Sequence, residues 1–109
     1  MNKVYIAHPF GGKQENIERV QDIITDLIKR NEEVVYISPL HMFGQWYDLV
    51  SWEQGMEWCL QTLEGCDAIV FASDEWQDSK GCCMEMEFAK ENGLDIFMLD
   101  EYKDVVEVL

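Results

Sequence analysis

Four short apolar segments alternate along this chain with segments whose apolar residues recur at three- and four-residue steps. The short segments lie at residues 3–7, 33–38, 66–72 and 94–99, and the helical patterns at 14–30, 52–64, about 80–92 and 101–109. Strands that alternate with helices form a parallel sheet through right-handed crossovers. We therefore predict a doubly wound α/β domain of the Rossmann or flavodoxin type, with about four parallel strands and helices on both faces.

The loops that follow the strands are the expected place for function. In open parallel sheets, ligands bind beyond the carboxyl ends of the strands, where the strand order reverses. The loops beginning at His8, Ser38 and Ser73 all fall at that edge. The residues of interest in these loops are therefore expected to converge on one rim.

Length and composition suit one compact domain over residues 1–109. The chain has 109 residues, 48% of them hydrophobic, which is enough for a stable core without disulfide bonds or a structural metal ion. No segment reaches the roughly 18 uncharged apolar residues of a membrane helix, and the first residues lack a secretion-signal pattern. We expect a cytoplasmic protein without a membrane partner. Its four cysteines are expected to be reduced, small buried side chains: Cys59, Cys66, Cys82 and Cys83.

The charge of the chain excludes one class of partner. The formal net charge is -14, with only 8 Lys and Arg residues. Binding to a nucleic-acid backbone needs a basic face, so we expect no DNA or RNA polymer as a partner. A small anionic ligand would have to be held by local features, namely helix N-termini and one or two lysines.

One such feature is the segment from Ser79 to Glu85. Ser79 can act as the N-cap of the helix that follows, and Gly81 lets the backbone approach a ligand closely. On a helical wheel Glu85 falls between Phe88 and Ala89, among apolar neighbours. A carboxyl group in that position should have a raised pKa and is a candidate acid, base or nucleophile. The alternative is that Glu85 lies at the edge of the apolar stripe and extends to water.

The loop after the first strand is the second such feature. Pro9-Phe10-Gly11-Gly12-Lys13 offers backbone amides and an ammonium group just before a helix, as a phosphate cradle does. It is neither a dinucleotide-binding fingerprint nor a P-loop, and its two glycines also suit an ordinary turn. Opposite Ser79-Lys80-Gly81 across the strand switch, it gains a partner for binding an anion.

Other polar residues at this edge have alternative roles. Tyr5 in the first strand could place its phenol near the site, or simply pack in the core. His8 and His41 could be bases or ligand contacts, but neither belongs to a metal-binding pattern, so we expect no metal. A nucleophilic cysteine paired with histidine is disfavoured, because Cys82 and Cys83 lie in an apolar helix turn.

Residues 40–50 are rich in aromatic side chains. We predict a loop here that folds over a ligand or packs on a partner subunit. A small domain does not readily bury this many large rings, so we also expect a homo-oligomer, a dimer or larger. The rings in question are Trp46, Tyr47, Trp52 and Trp58.

The motifs together resemble the nucleoside 2-deoxyribosyltransferase-like superfamily, most closely its short phage and bacterial members of unannotated function. Four motifs carry the resemblance: Tyr5-Ile6-Ala7-His8-Pro9, Ser38-Pro39-Leu40-His41, Cys66-Asp67-Ala68-Ile69 and Ser79-x-Gly81-x-x-x-Glu85-x-x-x-Ala89. The resemblance covers nearly the whole chain, and the last of these motifs is its most specific part.

The resemblance implies an N-glycosidase or deoxyribosyltransferase that acts on a nucleotide or nucleoside in a bacterial or phage-infected cytosol, without a cofactor. It implies that Glu85 is the nucleophile, that Tyr5 orients it, and that Ser79, Gly81, Gly12 and Lys13 hold a 5′-phosphate. The remaining ligand-binding candidates at the rim are His8, Phe10, Gly11 and His41.

The chain departs from this family at one position. Where the active relatives have an aspartate that helps to protonate the leaving base, this chain has Cys59. The candidate substitutes are Glu53, Glu57, Asp74, Glu75 and Asp78. Loss of a general acid costs roughly 10²- to 10⁴-fold in rate. Two alternatives therefore stay open: a non-catalytic protein that binds or sequesters a nucleotide or nucleotide-derived signal, and an acidic protein-interaction module.

Overall fold

A computed structural model describes residues 2–108 and shows a four-stranded sheet in the order β2-β1-β3-β4. All three strand pairs are parallel. The strands are β1 (Lys3–Ala7), β2 (Val35–Ile37), β3 (Ala68–Phe71) and β4 (Asp95–Met98). The strand order reverses between β1 and β3, so the carboxyl ends of these two central strands flank the expected ligand position.

Five helices join or follow the strands: α1 (Gln14–Arg30), α2 (Pro39–Phe43), α3 (Trp52–Glu64), α4 (Lys80–Glu91) and α5 (Leu99–Val105). Short 3₁₀ turns occupy Gly44–Trp46, Trp76–Asp78 and Val106–Val108. The predicted α/β fold is confirmed. No helix within residues 2–108 combines the length and apolar character needed to cross a membrane.

The pleat of β1 separates two cores. Val4 and Ile6 face a cluster that includes side chains of α1 and α5. Tyr5 and Ala7 face the other side, where α3 and α4 pack. Successive side chains of a strand point to opposite faces, so a five-residue strand supplies both cores.

The predicted aromatic loop at residues 40–50 is wrong in part, because most of its first half is helical. Ser38 caps α2 by accepting a hydrogen bond from the His41 amide at 3.3 Å, and Pro39 takes the first helical position. Ser-Pro marks the end of a strand, but it is also a favourable start for a helix. The predicted loop that begins at Ser73 likewise contains the 3₁₀ turn Trp76–Asp78.

The last helix begins earlier than predicted. α5 starts at Leu99, because the Glu101 carboxylate accepts a hydrogen bond from the Met98 amide at 2.9 Å and so caps the helix. The helix ends at Val105 and is followed by the 3₁₀ turn. Leu109, the predicted end of this helix, lies outside the described residues.

Candidate active site

A cavity of about 620 Å³ lies at the carboxyl edge of the central strands. Its wall comes from the loop after β1, the first turns of α1, the segment from α2 to α3, and the start of α4. The two predicted anion-binding segments therefore line one cavity, as the topology of the sheet requires.

Glu85 lies on this cavity and is buried, with 5% of its surface exposed. One of its carboxylate oxygens accepts a hydrogen bond from the Tyr5 hydroxyl. Burial raises the pKa of Glu85 to about 7, and the hydrogen bond from Tyr5 works against this rise. Of the two placements that the sequence left open, the structure has the buried one, in which the carboxyl group does not extend to bulk water.

Tyr5 supports Glu85 from the sheet. It is fully buried in β1 and is absent from the cavity lining, so its phenol reaches Glu85 from beneath. Burial, and then the neighbouring Glu85 carboxylate, raise the pKa of the Tyr5 phenol well above its ordinary value. The phenol therefore stays protonated and remains a hydrogen-bond donor that orients the carboxylate.

Two thiols accompany this pair. Cys59 and Cys82 both line the cavity. Burial, followed by the charge of Glu85, raises the pKa of Cys59 to about 11 and that of Cys82 to about 12. Both groups are neutral thiols at neutral pH, which argues against a cysteine nucleophile. Cys83 differs from the expected buried thiol: it is exposed on the outer side of α4, where its Sγ donates to the Gln77 carbonyl at 3.4 Å.

The first loop is shaped by its glycines. Gly11 and Gly12 have φ values of 60° and 75°, a region that residues with a Cβ rarely adopt. Gly11 and Lys13 line the cavity, while Gly12 lies under the Tyr47 ring, which a Cβ at Gly12 would approach to 3.4 Å. Phe10 also lines the cavity and packs edge-on against Tyr47, with ring centroids 5.0 Å apart.

His8 lines the cavity and is buried, with 5% of its surface exposed. Its Nδ1 lies 2.7 Å from the Pro9 carbonyl oxygen, which can only accept, so Nδ1 carries the proton. Among residues 2–108 its Nε2 has no hydrogen-bond partner. Burial lowers the pKa of His8 below its ordinary value. His8 is therefore a neutral imidazole, and its one ring proton is donated to the Pro9 carbonyl oxygen.

His41 is placed differently from the prediction. It is exposed, and it is absent from the cavity lining. Its Nδ1 lies 2.7 Å from the Ser38 hydroxyl, the N-cap of α2. The helix that replaces the predicted loop turns this side chain back onto its own cap and away from the cavity.

The start of α4 matches the predicted cap. The Ser79 hydroxyl accepts a hydrogen bond from the Cys82 amide at 3.2 Å, and Ser79 and Gly81 both line the cavity. A Cβ at Gly81 would lie 3.2 Å from the Met56 sulfur, so close packing of α3 on α4 also favours a glycine here. Lys80 lies over the Trp52 ring, with its Nζ 4.5 Å from the ring centroid.

The candidate substitutes for the missing acid divide into two groups. Glu75 and Asp78 line the cavity but are exposed at its rim. The other three, Glu53, Glu57 and Asp74, are exposed and are absent from the lining. Among residues 2–108, Glu85 is the only buried carboxylic acid, and no group of three or more His, Cys, Asp or Glu side chains could hold a metal ion.

Several lining residues were not predicted as site residues. Trp52, Met56 and Cys59 form one face of α3, and Phe43 and Tyr47 come from the aromatic segment. The four- and three-residue steps in α3 were present in the sequence, but they are equally typical of a helix face packed in a core. Glu15 and Arg19 of α1 also reach the cavity and had no such signal.

Comparison with known proteins gives one family and one fold. The family described as Domain of unknown function (DUF4406) matches residues 2–103. No curated protein matches the chain. Among solved structures, a 2-desoxiribosyltransferase from Leishmania mexicana aligns with a TM-score of 0.65 and 19% identity, covering 90% of this chain and 63% of that protein. This chain thus spans less than two thirds of its solved neighbour. It belongs to the DUF4406 family, and it has the nucleoside 2-deoxyribosyltransferase-like fold that the sequence motifs imply.

Proposed function

We propose that this protein cleaves the N-glycosidic bond of a nucleoside or nucleotide, with Glu85 as the nucleophile and Tyr5 as the residue that orients it. The observation that carries the proposal is the buried Glu85 carboxyl group, which lies on the cavity and is bonded to the Tyr5 hydroxyl. Burial of an acid without a cation costs stability, so such a group indicates chemistry more than packing.

The chemistry of glycosyl transfer fits a carboxylate in this setting. As the bond from the sugar C1′ to the base breaks, positive charge develops on the sugar, and a nearby carboxylate stabilises it or bonds to C1′. The Tyr5 phenol holds one Glu85 oxygen, which fixes the direction of the carboxylate. Water or a second base would then release the sugar from Glu85.

Another part of the cavity wall suits a phosphate group. Gly11 and Lys13 of the first loop line the cavity, as do Ser79 and Gly81 at the capped start of α4. Backbone amides at a helix start and a lysine ammonium group are the usual means of binding phosphate. We propose that Gly11, Gly12, Lys13, Ser79 and Gly81 bind the 5′-phosphate or hydroxyl end of the ligand.

The solved neighbour supports the choice of reaction to test. It is a 2-desoxiribosyltransferase, and it shares the fold in which β1 and α4 of this chain meet. Transfer of a deoxyribosyl group and hydrolysis of the same bond differ only in the group that accepts the sugar.

The test is base release. Nucleosides and nucleoside monophosphates, in ribo and deoxyribo form, are incubated with the protein and free base is measured by chromatography. Glu85→Gln should reduce release by about 10³-fold or more, as expected for loss of a nucleophile. Acid-quenched wild-type protein should carry a sugar adduct on Glu85, detected by mass spectrometry.

Glu87→Gln is the matched control, because Glu87 is exposed on the same helix. It makes the same chemical change without touching the cavity and should keep wild-type rates. Equal base release by wild-type protein and Glu85→Gln would rule out the proposed nucleophile.

A second candidate function is binding without catalysis. It is favoured by one observation: the groups beside Glu85 are the neutral thiols of Cys59 and Cys82 rather than a second acid. Calorimetry would then show stoichiometric uptake of a nucleotide that is recovered intact. Turnover of the bound ligand would exclude this role.

Self-association stays a prediction. Phe43, Trp46, Leu49 and Trp58 line a shallow groove of about 540 Å³ beside the cavity, and Leu49 is 77% exposed. Sedimentation velocity at micromolar concentration should show a dimer or a larger species, and a monomer would contradict the prediction.

A further inference from the structure

We propose that the substrates of this site are N-glycosides whose base already carries a positive charge, such as pyridinium or N7-alkylated purine glycosides. This inference rests on the proposed function of Glu85 as nucleophile. It comes from the composition of the cavity wall, which brings one buried carboxyl group together with aromatic rings and provides no second buried acid beside it within residues 2–108.

The charge of the base decides whether an acid is needed. A neutral base departs as an anion unless a proton is supplied to it as the C1′–N bond breaks, and a positioned acid contributes roughly 10²- to 10⁴-fold to that step. A cationic base departs as a neutral molecule and needs no proton. A site with a nucleophile and no acid therefore selects cationic leaving groups.

The groups around Glu85 do not supply that proton. The Tyr5 hydroxyl is already donated to Glu85, and Glu85 cannot attack C1′ and protonate the base in the same step. The Cys59 and Cys82 thiols would become buried thiolates beside a carboxylate, and burial, followed by the charge of Glu85, raises the pKa of both thiols. The single ring proton of neutral His8 is donated to the Pro9 carbonyl.

The remaining acids are at the rim. Glu15, Glu75 and Asp78 line the cavity but are exposed to water, whereas Glu85 is 5% exposed. A proton on a group at the rim is exchanged with solvent rather than held in a dry contact with the base. The described residues thus provide one buried carboxyl group for the whole cavity.

The wall of the cavity favours a cationic ring. Phe43, Tyr47, Trp52 and Trp58 line it, and aromatic faces attract cations. Lys80 already lies over Trp52 in this way, with its Nζ 4.5 Å from the ring centroid, so Phe43, Tyr47 and Trp58 are the rings left for a ligand. The formal net charge of -14 adds a long-range field that attracts a positively charged ligand.

Glu85 also lacks a cation of its own. The ion pairs found within residues 2–108 both involve Arg30, which does not line the cavity. A cationic base bound at C1′ would place a positive charge beside the buried carboxylate and offset part of the cost of its burial.

The reaction balances without an added acid. Glu85 forms a bond from its carboxylate oxygen to C1′, the C1′–N bond breaks, and its electron pair neutralises the cationic nitrogen of the base. Water then bonds to C1′, the bond to Glu85 breaks with its electron pair returning to the carboxylate, and the proton of the water passes to solvent. The products are the free sugar, the neutral base and one proton.

The experiment compares matched bases in the wild-type protein. N7-methylguanine and guanine glycosides are used, together with nicotinamide glycosides, each as nucleoside and 5′-monophosphate in ribo and deoxyribo form. We expect kcat/KM for the cationic base to exceed that for guanine by about 10²-fold or more. Glu85→Gln should abolish both activities.

Cys59→Asp adds the missing acid, and Cys59→Asn is its matched control without a proton. We expect Cys59→Asp to lower the ratio of cationic to neutral kcat/KM by roughly tenfold or more, and Cys59→Asn to leave the ratio high. Thermal unfolding shows whether each variant folds. If Cys59→Asp does not fold, the wild-type ratio decides by itself.

Each result has a separate meaning. Guanine release within roughly tenfold of N7-methylguanine release, lost in Glu85→Gln, would overturn this inference and leave the proposed function standing. Release of neither base type, from any of the probes, would overturn both.

Discussion

The two faces of the sheet are built for different purposes. On the face covered by α1 and α5, the buried cluster is apolar apart from Tyr102, whose hydroxyl lies 3.0 Å from that of Tyr36. On the face covered by α3 and α4, the Tyr5 hydroxyl meets a buried carboxylic acid. The first face stabilises the fold, whereas the second gives up stability to bury a carboxyl group, the one proposed as the nucleophile.

The contrast is sharp because the same strand serves both faces. Val4 and Ile6 of β1 pack in the core on the α1 and α5 face, and Tyr5 between them points to Glu85 on the other face. The change from an apolar core to a buried carboxyl group therefore takes place between neighbouring residues of β1. The variants below separate the two roles.

Leu27→Ala should give the largest change in stability. Leu27 is fully buried on the α1 face, and truncation there leaves a cavity that costs about 2–5 kcal/mol in the free energy of unfolding. Denaturant unfolding measures it. The Ile28→Ala change, at a neighbouring position that is 46% exposed, should cost far less. Equal losses for the two variants would contradict the assigned core.

Glu85→Gln should change how stability depends on pH. The folded pKa of Glu85 is raised to about 7, so its contribution is fully present below the unfolded pKa of about 4.3 and is lost as the pH rises through about 7. The variant lacks this loss. Its stability relative to wild type should therefore rise by about 3 kcal/mol between about pH 4 and pH 8.

Denaturant unfolding across that range measures the difference, and Glu87→Gln on the outer side of α4 is the control. Stability curves of wild type and Glu85→Gln that run parallel over the range would show that the carboxyl group is not buried in solution.

Tyr5→Phe and Tyr102→Phe compare the hydroxyl bonds of the two faces. Each should cost roughly 1 kcal/mol in stability. Because the Tyr5 hydrogen bond lowers the pKa of Glu85, its loss should move the rising limb of the pH profile of kcat/KM above its midpoint near 7. Tyr102→Phe should leave that midpoint in place, since Tyr102 packs on the other face. The same shift of the midpoint in both variants would mean that the two faces of the sheet are coupled.

Gly12→Ala tests the rim of the cavity. Gly12 has a φ of 75° and Gly93 a φ of 68°, so alanine at either position should cost about 1 kcal/mol. A Cβ at Gly12 also approaches the Tyr47 ring to 3.4 Å, whereas Gly93 has open space. Only Gly12→Ala should weaken nucleotide binding, measured by calorimetry. Equal binding by both variants would remove Gly12 from the proposed site.

Much of the fold could be predicted from sequence because its signals are local. The bounds of α1 and α3 follow from apolar steps of three and four residues, and both helices match their predicted ranges. The loop predicted at residues 40–50 was wrong in part, because Ser38-Pro39 is compatible both with the end of a strand and with the start of a helix. Only the packing of the folded chain selects between the two.

The site was less predictable, because most of it depends on contacts between separate segments rather than on local signals. The N-cap role of Ser79 depends on residues three positions away and was correct. The exclusion of His41 from the cavity and the entry of Glu15 and Arg19 depend on how separate elements meet. Neither relation leaves a pattern within one segment.

The sequence by itself determined the alternation of strands and helices, and hence the rim at which the loops converge, because these follow from periodicity and from the handedness of parallel connections. Only the tertiary structure decided the state of Glu85. Its place on the helical wheel was compatible with both water and burial, and its partner Tyr5 lies 80 residues away in the sequence. The pKa of a carboxyl group depends on the solvent and partners around it, and those exist only once β1 and α4 have packed together.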